Sequence, residues 1–505
     1  MRVALVTEAG TPADAWARRL VGALPGHTFH LVRLDAGHLG ERCPDTCGHD
    51  VRSLNPRRPT AHGPEACGAV PLPPHVASVR EVRLGTRGPA PARAERAAAV
   101  TAARLLFRGL LGDGDASARL FADGLHRLAA LATPPGTAPV TALVLPGAAS
   151  VPTHPAPSVP ASARPGRRPL QGVPTAGALL DAVRAARGLD VSLPRLTLRQ
   201  ARHAAGLLER ALRPLSVAAP DADLTHAASS GPPLLCALAA LWRAGTPYLL
   251  TEHDSHLRRQ YLVPGDDDPV RTVLLRFHRA LSRLGYESAG RVTTSGRFHR
   301  RWQLRHGADP ERVLVVPPGL DDPGPAGPEP DAPLLLWRGT IGPDAELPCL
   351  LSAFSLVRAR VPGVRLVVDG PVADAGYARA CRDLGDRLGL GGTLRFTDDP
   401  GADGQIVVAT AVTDGTPYPL IRSLMAGRPA VATDAGTAAE TVGDGGIVVP
   451  AGEPDALADA CTLLLTDSDL RGRLGLAARR RTLARHAPHA ALTAYDHLYR
   501  DLRCR

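Results

Sequence analysis

The amino-acid sequence predicts an α/β protein with two parallel-sheet domains of Rossmann-like architecture that face each other across a cleft. At 505 residues the chain is too long for one ordinary core. Strand patterns alternate with helix patterns in two separate stretches, which is typical of parallel sheets covered on both faces. A proline-rich run, "LDDPGPAGPEPDAP", separates the stretches and has the composition of a linker. We therefore expect ligands to bind at the carboxyl ends of the strands, inside the cleft.

The first elements form one strand–helix–strand unit. "VALVTEAG" reads as a strand, Trp16, Leu20 and Leu24 recur at helical spacing, and "HTFHLVRL" reads as the next strand. Residues 35 to 91 show no sustained period. "RAERAAAVTAARLLFRGLL" and "SARLFADGLHRLAALA" then predict two helices, followed by a low-complexity stretch that we expect to be mobile over about 133–175.

Regular patterns resume with helices near residues 176–186 and 198–212. "ADLTHAASS", the helix "LLCALAALWRAG" and "PYLLTEHD" form a second strand–helix–strand unit. A long helix over about 270–282, the strand "AGRVTTSG", the basic helix "RFHRRWQLRHG" and the strand "RVLVVPPG" complete the first half. We assign residues 1–320 to this N-terminal domain, with an insertion over about 36–175.

The second half alternates more clearly. After the linker, residues 321–333, the strands "LLLWRGT", "VRLVVDG", "TLRF", "QIVVAT", "PAVATD" and "GGIVVP" are interleaved with helices, and three helices close the chain. The C-terminal domain is predicted over residues 334–485. Residues 486–505 are predicted to form a terminal helix that can pack back on the N-terminal domain.

The charge pattern limits the classes of ligand. The formal net charge is +10, and the sequence contains no lysine, so arginine, histidine or backbone N–H groups must bind any phosphate. Because the arginines are dispersed on helices with acids nearby, a solvated surface is favoured over nucleic-acid binding. The start "MRVALVTEAG" reads as a strand rather than a signal peptide, and no apolar run reaches membrane-spanning length. A cytoplasmic protein is expected.

One cluster could ligate a metal. Cys43, Cys47, His49, His62 and Cys67 lie close together in the sequence, but their spacing is not a standard zinc-site spacing. The cluster leaves zinc binding open.

Several ordered motifs resemble the retaining glycosyltransferases of family 4, which have the GT-B fold. They are "TEHDSHLRRQYL", "TTSGRFHRRWQLRHGADPERVLVVPPGLD", "RLVVDGP", "TDGTPYPLIRSLMAGRPAVATDAGTAAE" and "GDGGIVVPAGEPDALADA", and they span about residues 218–500. The TEH segment and the long insertion resemble the subgroup of the cytoplasmic Pel-type exopolysaccharide glycosyltransferase. This resemblance implies transfer of a hexose from a nucleotide-sugar to an acceptor hydroxyl with retention and without a metal or other cofactor. Saccharide acceptors and polysaccharide-assembly proteins are the implied partners.

The resemblance also assigns site residues. His253 matches the histidine that reaches the donor sugar, and Arg258 matches an arginine of the subgroup. Arg338 matches the arginine that pairs with the donor diphosphate, through a planar guanidinium that fits two phosphate oxygens. Asp414 takes the place of the first acid of the family's paired acidic motif, so we predict His253 and Asp414 as catalytic residues. Gly415, beside it, is a predicted donor-binding residue with backbone N–H groups.

The remaining donor-binding predictions lie nearby. Arg422 takes the place of the second acid of that motif, where a carboxylate would hold the ribose, although a guanidinium has no acceptor. Gly436 and Thr437 match a small-residue turn, and Glu440 matches the acid that follows the turn.

The sequence also departs from the family pattern. The companion lysine of the diphosphate site is absent, and Asp14 places a negative charge where the family has glycine beside the phosphates. An alternative function is therefore a catalytically silent GT-B protein that acts as a binding or assembly partner. A GT-B sugar-nucleotide epimerase and nucleic-acid binding through "GRFHRRWQLRH" are less favoured.

Overall fold

The chain folds into two lobes, each built on one parallel β-sheet. The computed structural model describes residues 1–9, 11–35, 73–85, 90–132, 168–190, 192–218, 220–262, 268–399, 401, 403–411 and 417–503. The N-terminal sheet has the strand order β3-β2-β1-β4-β5-β6-β7. Its strands are β1 (Arg2–Glu8), β2 (Thr28–Asp35), β3 (Val76–Arg83), β4 (Leu224–Ala227), β5 (Tyr248–Glu252), β6 (Arg291–Thr294) and β7 (Val313–Val315).

The C-terminal sheet has six strands in the order β10-β9-β8-β11-β12-β13, and every pairing in both sheets is parallel. Its strands are β8 (Leu334–Arg338), β9 (Arg365–Asp369), β10 (Leu394–Thr397), β11 (Ile406–Ala409), β12 (Ala430–Thr433) and β13 (Gly446–Val449). The prediction of two Rossmann-like domains is therefore confirmed.

Helices cover both faces of each sheet. The helices of the N-terminal lobe are α1 (Pro12–Ala23), α2 (Arg96–Leu111), α3 (Gly114–Leu131), α4 (Ala176–Arg187), α5 (Leu198–Ala211), α6 (Pro232–Ala244), α7 (His256–Leu262), α8 (Pro269–Ser288) and α9 (Arg297–Arg305). The helices that follow the linker are α10 (Leu347–Arg360), α11 (Ala375–Arg387), α12 (Tyr418–Ala426), α13 (Ala438–Val442), α14 (Pro454–Thr466), α15 (Ser468–Arg485) and α16 (Pro488–Arg503).

The central strand β5 shows how one strand serves two cores. Tyr248 and Leu250 belong to the core beneath α6 and α8, whereas Leu249 belongs to the core on the opposite face. Successive side chains of a strand point to opposite faces, so a strand buried on both sides must be apolar throughout. Burial on both faces therefore explains why the apolar run "YLL" is continuous in the sequence.

The insertion contains a strand that the sequence did not reveal. We predicted no regular element between residues 35 and 91, and that prediction is wrong, because β3 pairs with β2 at the edge of the N-terminal sheet. Its side chains are half-buried or exposed, and therefore the sequence carries little apolar periodicity there. The stretch 133–167, most of the segment expected to be mobile, lies outside the described residues.

Helices α2 and α3 form a tightly packed antiparallel pair within the insertion. A Cβ atom at Gly109 would lie 2.2 Å from the backbone N of Phe121, and one at Gly124 would lie 2.4 Å from the backbone N of Leu106. The two glycines therefore permit a backbone-to-backbone approach that alanine would block.

The linker and the last helix connect the lobes. Linker residues are bound to the C-terminal lobe, where Asp322 pairs with Arg479 at 2.8 Å and Glu329 pairs with Arg471 at 2.8 Å. Helix α16 returns to the N-terminal lobe, and its Tyr495 is buried in the core formed around α1. The chain thus crosses between the lobes twice.

Candidate functional site

A cavity of about 340 Å³ lies between the lobes, at the carboxyl ends of the parallel strands. Both lobes contribute to its wall. The lining residues are Ala15, Arg19, Leu320, Arg338, Tyr418, Pro419 and Arg422. The cavity is within the usual size range of small-molecule sites, and its three charged lining residues are all cations. Its composition suits an anionic ligand.

Arg338 is placed by the end of β8. Its Nε donates to the carboxylate of Asp369 at 2.6 Å, and Asp369 ends the neighbouring strand β9 with its side chain 4% exposed. The other carboxylate oxygen of Asp369 accepts the backbone N–H of Asp399 at 2.9 Å. A buried, fixed carboxylate orients the guanidinium, which keeps it rigid for a ligand in the cavity.

Arg19 is a lining residue that the sequence analysis missed. It lies one turn beyond Ala15 on the exposed face of α1, and its guanidinium stacks over the ring of Tyr418 from the other lobe at 5.6 Å. Tyr418 and Arg422 are also one turn apart, on α12. The four-residue spacing was visible in the sequence, but the apposition of α1 and α12 was not.

His253 follows β5 and is buried beside the cavity. Its ring packs edge-on against Trp16 of α1 at 4.4 Å, and its backbone carbonyl accepts from the Ser295 hydroxyl at 3.4 Å. Burial, with smaller contributions from the nearby charges of His299 and Arg19, lowers the pKa of His253 to about 3. The imidazole is therefore neutral at physiological pH. Arg19, whose charge acts on this imidazole, is itself a lining residue of the cavity.

The residue before His253 fixes the end of the strand. The buried carboxyl group of Glu252 accepts hydrogen bonds from Ser230, from Tyr286 at 2.8 Å and from Gln303 at 2.8 Å. Burial raises the pKa of Glu252, although these donors act in the opposite direction. Partners from three different elements hold this carboxyl group, so the backbone at His253 has little freedom.

From the sequence we expected Asp14 to place a negative charge beside the phosphates. In the structure its charge is neutralised by neighbouring groups. Its carboxylate accepts from Thr7 at 2.9 Å, from Arg18 at 2.9 Å and from Arg33 at 3.0 Å, and the residue is 4% exposed. Burial alone would raise the pKa of Asp14, but the hydrogen bonds from Arg33, Thr7 and Arg18 outweigh it and lower the pKa. Two guanidinium groups therefore neutralise this charge.

Glu440 joins the two lobes. Its carboxylate accepts the backbone N–H of Arg297 at 2.8 Å and of Phe298 at 3.3 Å, at the first turn of α9 in the N-terminal lobe. It also pairs with Arg485. Burial would raise the pKa of Glu440, but the Arg297 N–H and Arg485 lower it. A carboxylate at a helix N-terminus is a favourable arrangement, so this contact holds the two lobes together.

Other predicted site residues lie around this contact. Gly436 has a φ of 55°, which favours glycine, and Thr437 begins the short helix α13 with a buried hydroxyl. Arg258, on α7, stacks over the ring of Phe298 at 5.3 Å. The structure thus brings Arg338 and Arg422 into one cavity and places His253 beside it, whereas Glu440 lies at the lobe contact. Asp414 and Gly415 lie outside the described residues.

The described residues contain no candidate metal site. Within the described ranges, no group of three or more histidine, cysteine, aspartate or glutamate side chains is arranged to hold a metal ion. The predicted cluster from Cys43 to Cys67 lies outside these ranges. The cysteines that the structure describes are free and buried: Cys236, Cys349, Cys381 and Cys461. Among the described helices, none combines the length and apolarity needed to cross a bilayer.

Solved structures with similar architecture identify the fold. The Anabaena protein HepE, solved with UDP and glucose, aligns with a TM-score of 0.57 at 12% identity, covering 99% of this chain and 100% of HepE. Sucrose-phosphate synthase from Thermosynechococcus elongatus aligns with a TM-score of 0.56 at 15% identity, covering 99% of both chains. The chain has the GT-B fold.

Sequence comparisons extend the likeness to glycosyltransferase families. Residues 157–322 match the family model "Glycosyltransferase Family 4", and residues 332–467 match "Glycosyl transferases group 1". The D-inositol 3-phosphate glycosyltransferase of Jonesia denitrificans is 25% identical over 52% of this chain and 66% of its own length. The protein of that name from Nocardia farcinica is 28% identical over 34% of this chain and 44% of its own length. The chain thus spans less than two thirds of these relatives, and this GT-B protein is similar to family-4 glycosyltransferases in both lobes.

Proposed function

We propose that this GT-B protein is a retaining glycosyltransferase that moves a hexose from a nucleotide-sugar to an acceptor hydroxyl. The observation that supports this proposal best is the cavity in which Arg19, Arg338 and Arg422 converge from both lobes. A nucleotide-sugar carries a diphosphate, and guanidinium groups stabilise the charge that develops on a diphosphate leaving group. These three cations would take the place of the family's lysine and make a divalent metal unnecessary.

The proposed roles follow from position. Arg338, oriented by Asp369, binds the diphosphate, and Arg19 and Arg422 complete its neutralisation from either side. His253 lies beside the cavity with a neutral imidazole, which can hydrogen-bond a sugar hydroxyl, and with a carbonyl that favours developing positive charge on the sugar. Asp414 and Gly415 remain proposed as contacts of the donor sugar and the phosphates.

The acceptor is proposed from chemistry and from the relatives. The Jonesia and Nocardia proteins are named for an acceptor that carries a phosphate group. A cleft whose charged lining residues are arginines would also suit an anionic acceptor. A role in exopolysaccharide or glycoconjugate synthesis in the cytoplasm, with polysaccharide-assembly partners, is the broader setting that we propose.

The test is a binding screen with UDP-, GDP- and ADP-sugars by thermal shift and calorimetry. We expect one nucleotide class to raise the melting temperature, and we expect Arg338→Gln to weaken that donor about ten- to hundredfold, as loss of a charge-assisted hydrogen bond does. Arg473→Gln is the matched control, because Arg473 is an exposed arginine of α15 that does not line the cavity. His253→Ala is expected to abolish transfer and hydrolysis.

A catalytically silent GT-B protein is the second candidate function. It is favoured by Arg422, which stands where the family binds ribose through a carboxylate, and by Glu440, whose carboxylate is engaged at the lobe contact. If no nucleotide-sugar shifts the melting temperature of the wild-type protein, the transferase proposal is wrong and the silent candidate is supported.

A further inference from the structure

A second cavity, of about 540 Å³, lies in the N-terminal lobe away from the cleft. It is bounded by the turn between α2 and α3, by α8 and by the last turn of α9. Helix α9 begins at the lobe contact with Glu440 and runs for 9 residues. At 1.5 Å per residue its far end, where the cavity lies, is about 13 Å from that contact. The cavity is therefore separate from the proposed donor site.

Four arginines line this cavity, together with the acids Asp113 and Glu287. Arg276, Arg279 and Arg283 follow each other at helical spacing along one face of α8, and Arg305 faces them from the end of α9. Arg283 is neutralised by Glu287 at 2.7 Å and by Asp115 at 2.8 Å. Arg276 has only longer ion pairs, with Asp113 at 3.7 Å and with Asp190 at 3.8 Å.

The other two arginines form no ion pair with any residue that the structure describes. Burial lowers the pKa of the His306 imidazole, and the nearby charges of Arg279 and Arg305 lower it further. His306 Nδ1–H donates to the Trp302 carbonyl at 2.9 Å, and the His306 and Trp302 rings lie 4.5 Å apart. This contact assigns the proton of the neutral imidazole to Nδ1, so Nε2 can donate to an anion only when the ring is protonated. Arg279 and Arg305 are both exposed, so solvent screens their mutual repulsion, and an anion bound between them would reduce what remains of it.

The remainder of the wall limits the kind of anion. Leu110, Ala118, Ala280 and Leu284 supply an apolar side to the cavity. The volume exceeds what one inorganic phosphate needs, and an apolar surface beside a cationic corner suits a ligand with a phosphate at one end and an uncharged body. A long polyanion would instead require a cationic track that continues beyond the cavity.

We propose that this cavity binds a phosphorylated small molecule, with its phosphate held between Arg279, Arg305 and His306. This site is distinct from the donor cleft and does not depend on the proposed transferase activity. The phosphate would pair with both guanidinium groups, and protonated His306 would donate a further hydrogen bond from Nε2.

The experiment measures binding of inorganic pyrophosphate by calorimetry to the full-length chain. Since the donor cleft can also take pyrophosphate, the background variant carries Arg338→Gln and Arg422→Gln. We expect this background to retain one pyrophosphate site, and we expect added Arg279→Gln and Arg305→Gln to weaken it about tenfold or more. Arg301→Gln, an exposed arginine of α9 outside the cavity, is the matched control and should leave binding unchanged.

A second readout protects the test against misfolded variants. The pKa of His306, followed by NMR, should rise when pyrophosphate binds, because the anion opposes the charges of Arg279 and Arg305. The proposal is overturned if the cleft background binds no pyrophosphate at millimolar concentration, or if its binding ignores both substitutions. It is also overturned if a single-stranded oligonucleotide, rather than pyrophosphate, is the ligand that depends on Arg279 and Arg305.

Discussion

At the scale of single residues, Arg19 is the side chain whose role depends most on its neighbours. It belongs to the N-terminal lobe, stacks over Tyr418 of the C-terminal lobe and lines the cleft cavity. Because the sequence contains no lysine, Arg19 is a cation that the N-terminal lobe contributes to the wall of this cavity. We therefore expect Arg19→Gln to weaken the binding of a nucleotide diphosphate by about 1.5–3 kcal/mol, the contribution of a hydrogen bond to a charged group.

The adjacent residue provides the control for Arg19. Arg18 has the same charge and lies on the same helix, but it pairs with Asp14 at 2.9 Å and does not line the cavity. Calorimetry with UDP, or with the nucleotide found in the screen, should separate the two variants. Equal affinities for Arg19→Gln and Arg18→Gln would show that Arg19 only contributes to the general positive potential.

At the scale of elements, the contact between Glu440 and α9 couples the lobes. A Cβ atom on Gly296 would lie 2.9 Å from the Glu440 carboxylate, so a larger residue at this position would displace the carboxylate from the helix N-terminus. Removing the charge in Glu440→Gln weakens both the contact with the helix N-terminus and the pair with Arg485. We expect a loss of about 1 kcal/mol of stability, as for other helix caps.

Urea unfolding and small-angle X-ray scattering test this contact. Glu440→Gln should unfold at lower urea and show a larger radius of gyration, because the lobes separate more readily. Glu311→Gln changes an exposed acid of the N-terminal lobe and serves as the control. An unchanged radius of gyration in Glu440→Gln would mean that the crossing chain segments alone hold the lobes together.

At the scale of the whole molecule, buried histidines set the response to acid. Burial lowers the pKa of His226 and His253 to about 3, and that of His278 and His486 to about 4. An unfolded histidine titrates near 6.5, so below that pH the unfolded chain binds more protons. The contribution of these neutral, buried histidines to the stability of the folded protein is therefore fully present above pH 6.5. It is lost as the pH falls toward 4.

Two buried carboxyl groups act in the opposite direction. Burial raises the pKa of Glu8 and Glu252, so folding is favoured while they keep a proton and disfavoured as the pH rises through the raised pKa. The four histidines outnumber them, and we expect the free energy of unfolding to fall between pH 7.5 and 5.5. In His278→Gln the slope should be smaller by up to about 1.4 kcal/mol per pH unit. A stability that is constant or rises over this interval would contradict the prediction.

Much of the fold could be predicted from local patterns. The strands at the centre of both sheets are buried on both faces. They are therefore short, continuous apolar runs between turns, which can be recognised in the sequence. The edge strand β3 and the five-residue helix α13 were missed, because half-exposed or short elements bury too few side chains to impose a period. Long α8 was predicted over 270–282 but extends over Pro269–Ser288.

The candidate site was predictable only in part. Arg338 is the last residue of β8, and Arg422 lies in the second turn of α12, the helix that leads into β12. Parallel strands bring their carboxyl ends to one edge of a sheet, so the position of Arg338 could be predicted. Asp14 shows the limit of this reasoning. The sequence suggested an uncompensated charge, but the register of β1 and β2 places Thr7 beside Arg33, and both bind the Asp14 carboxylate.

The sequence by itself determined two parallel-sheet lobes and the absence of lysine at any phosphate site, because periodicity and composition are local properties. Only the tertiary structure decided that Arg19 meets Tyr418, that Glu440 binds the first turn of α9, and that Arg279 and Arg305 share a cavity. These contacts join residues far apart in the chain. Their positions depend on how helices pack across two sheets, and side-chain packing of that kind leaves no periodic signal in the sequence.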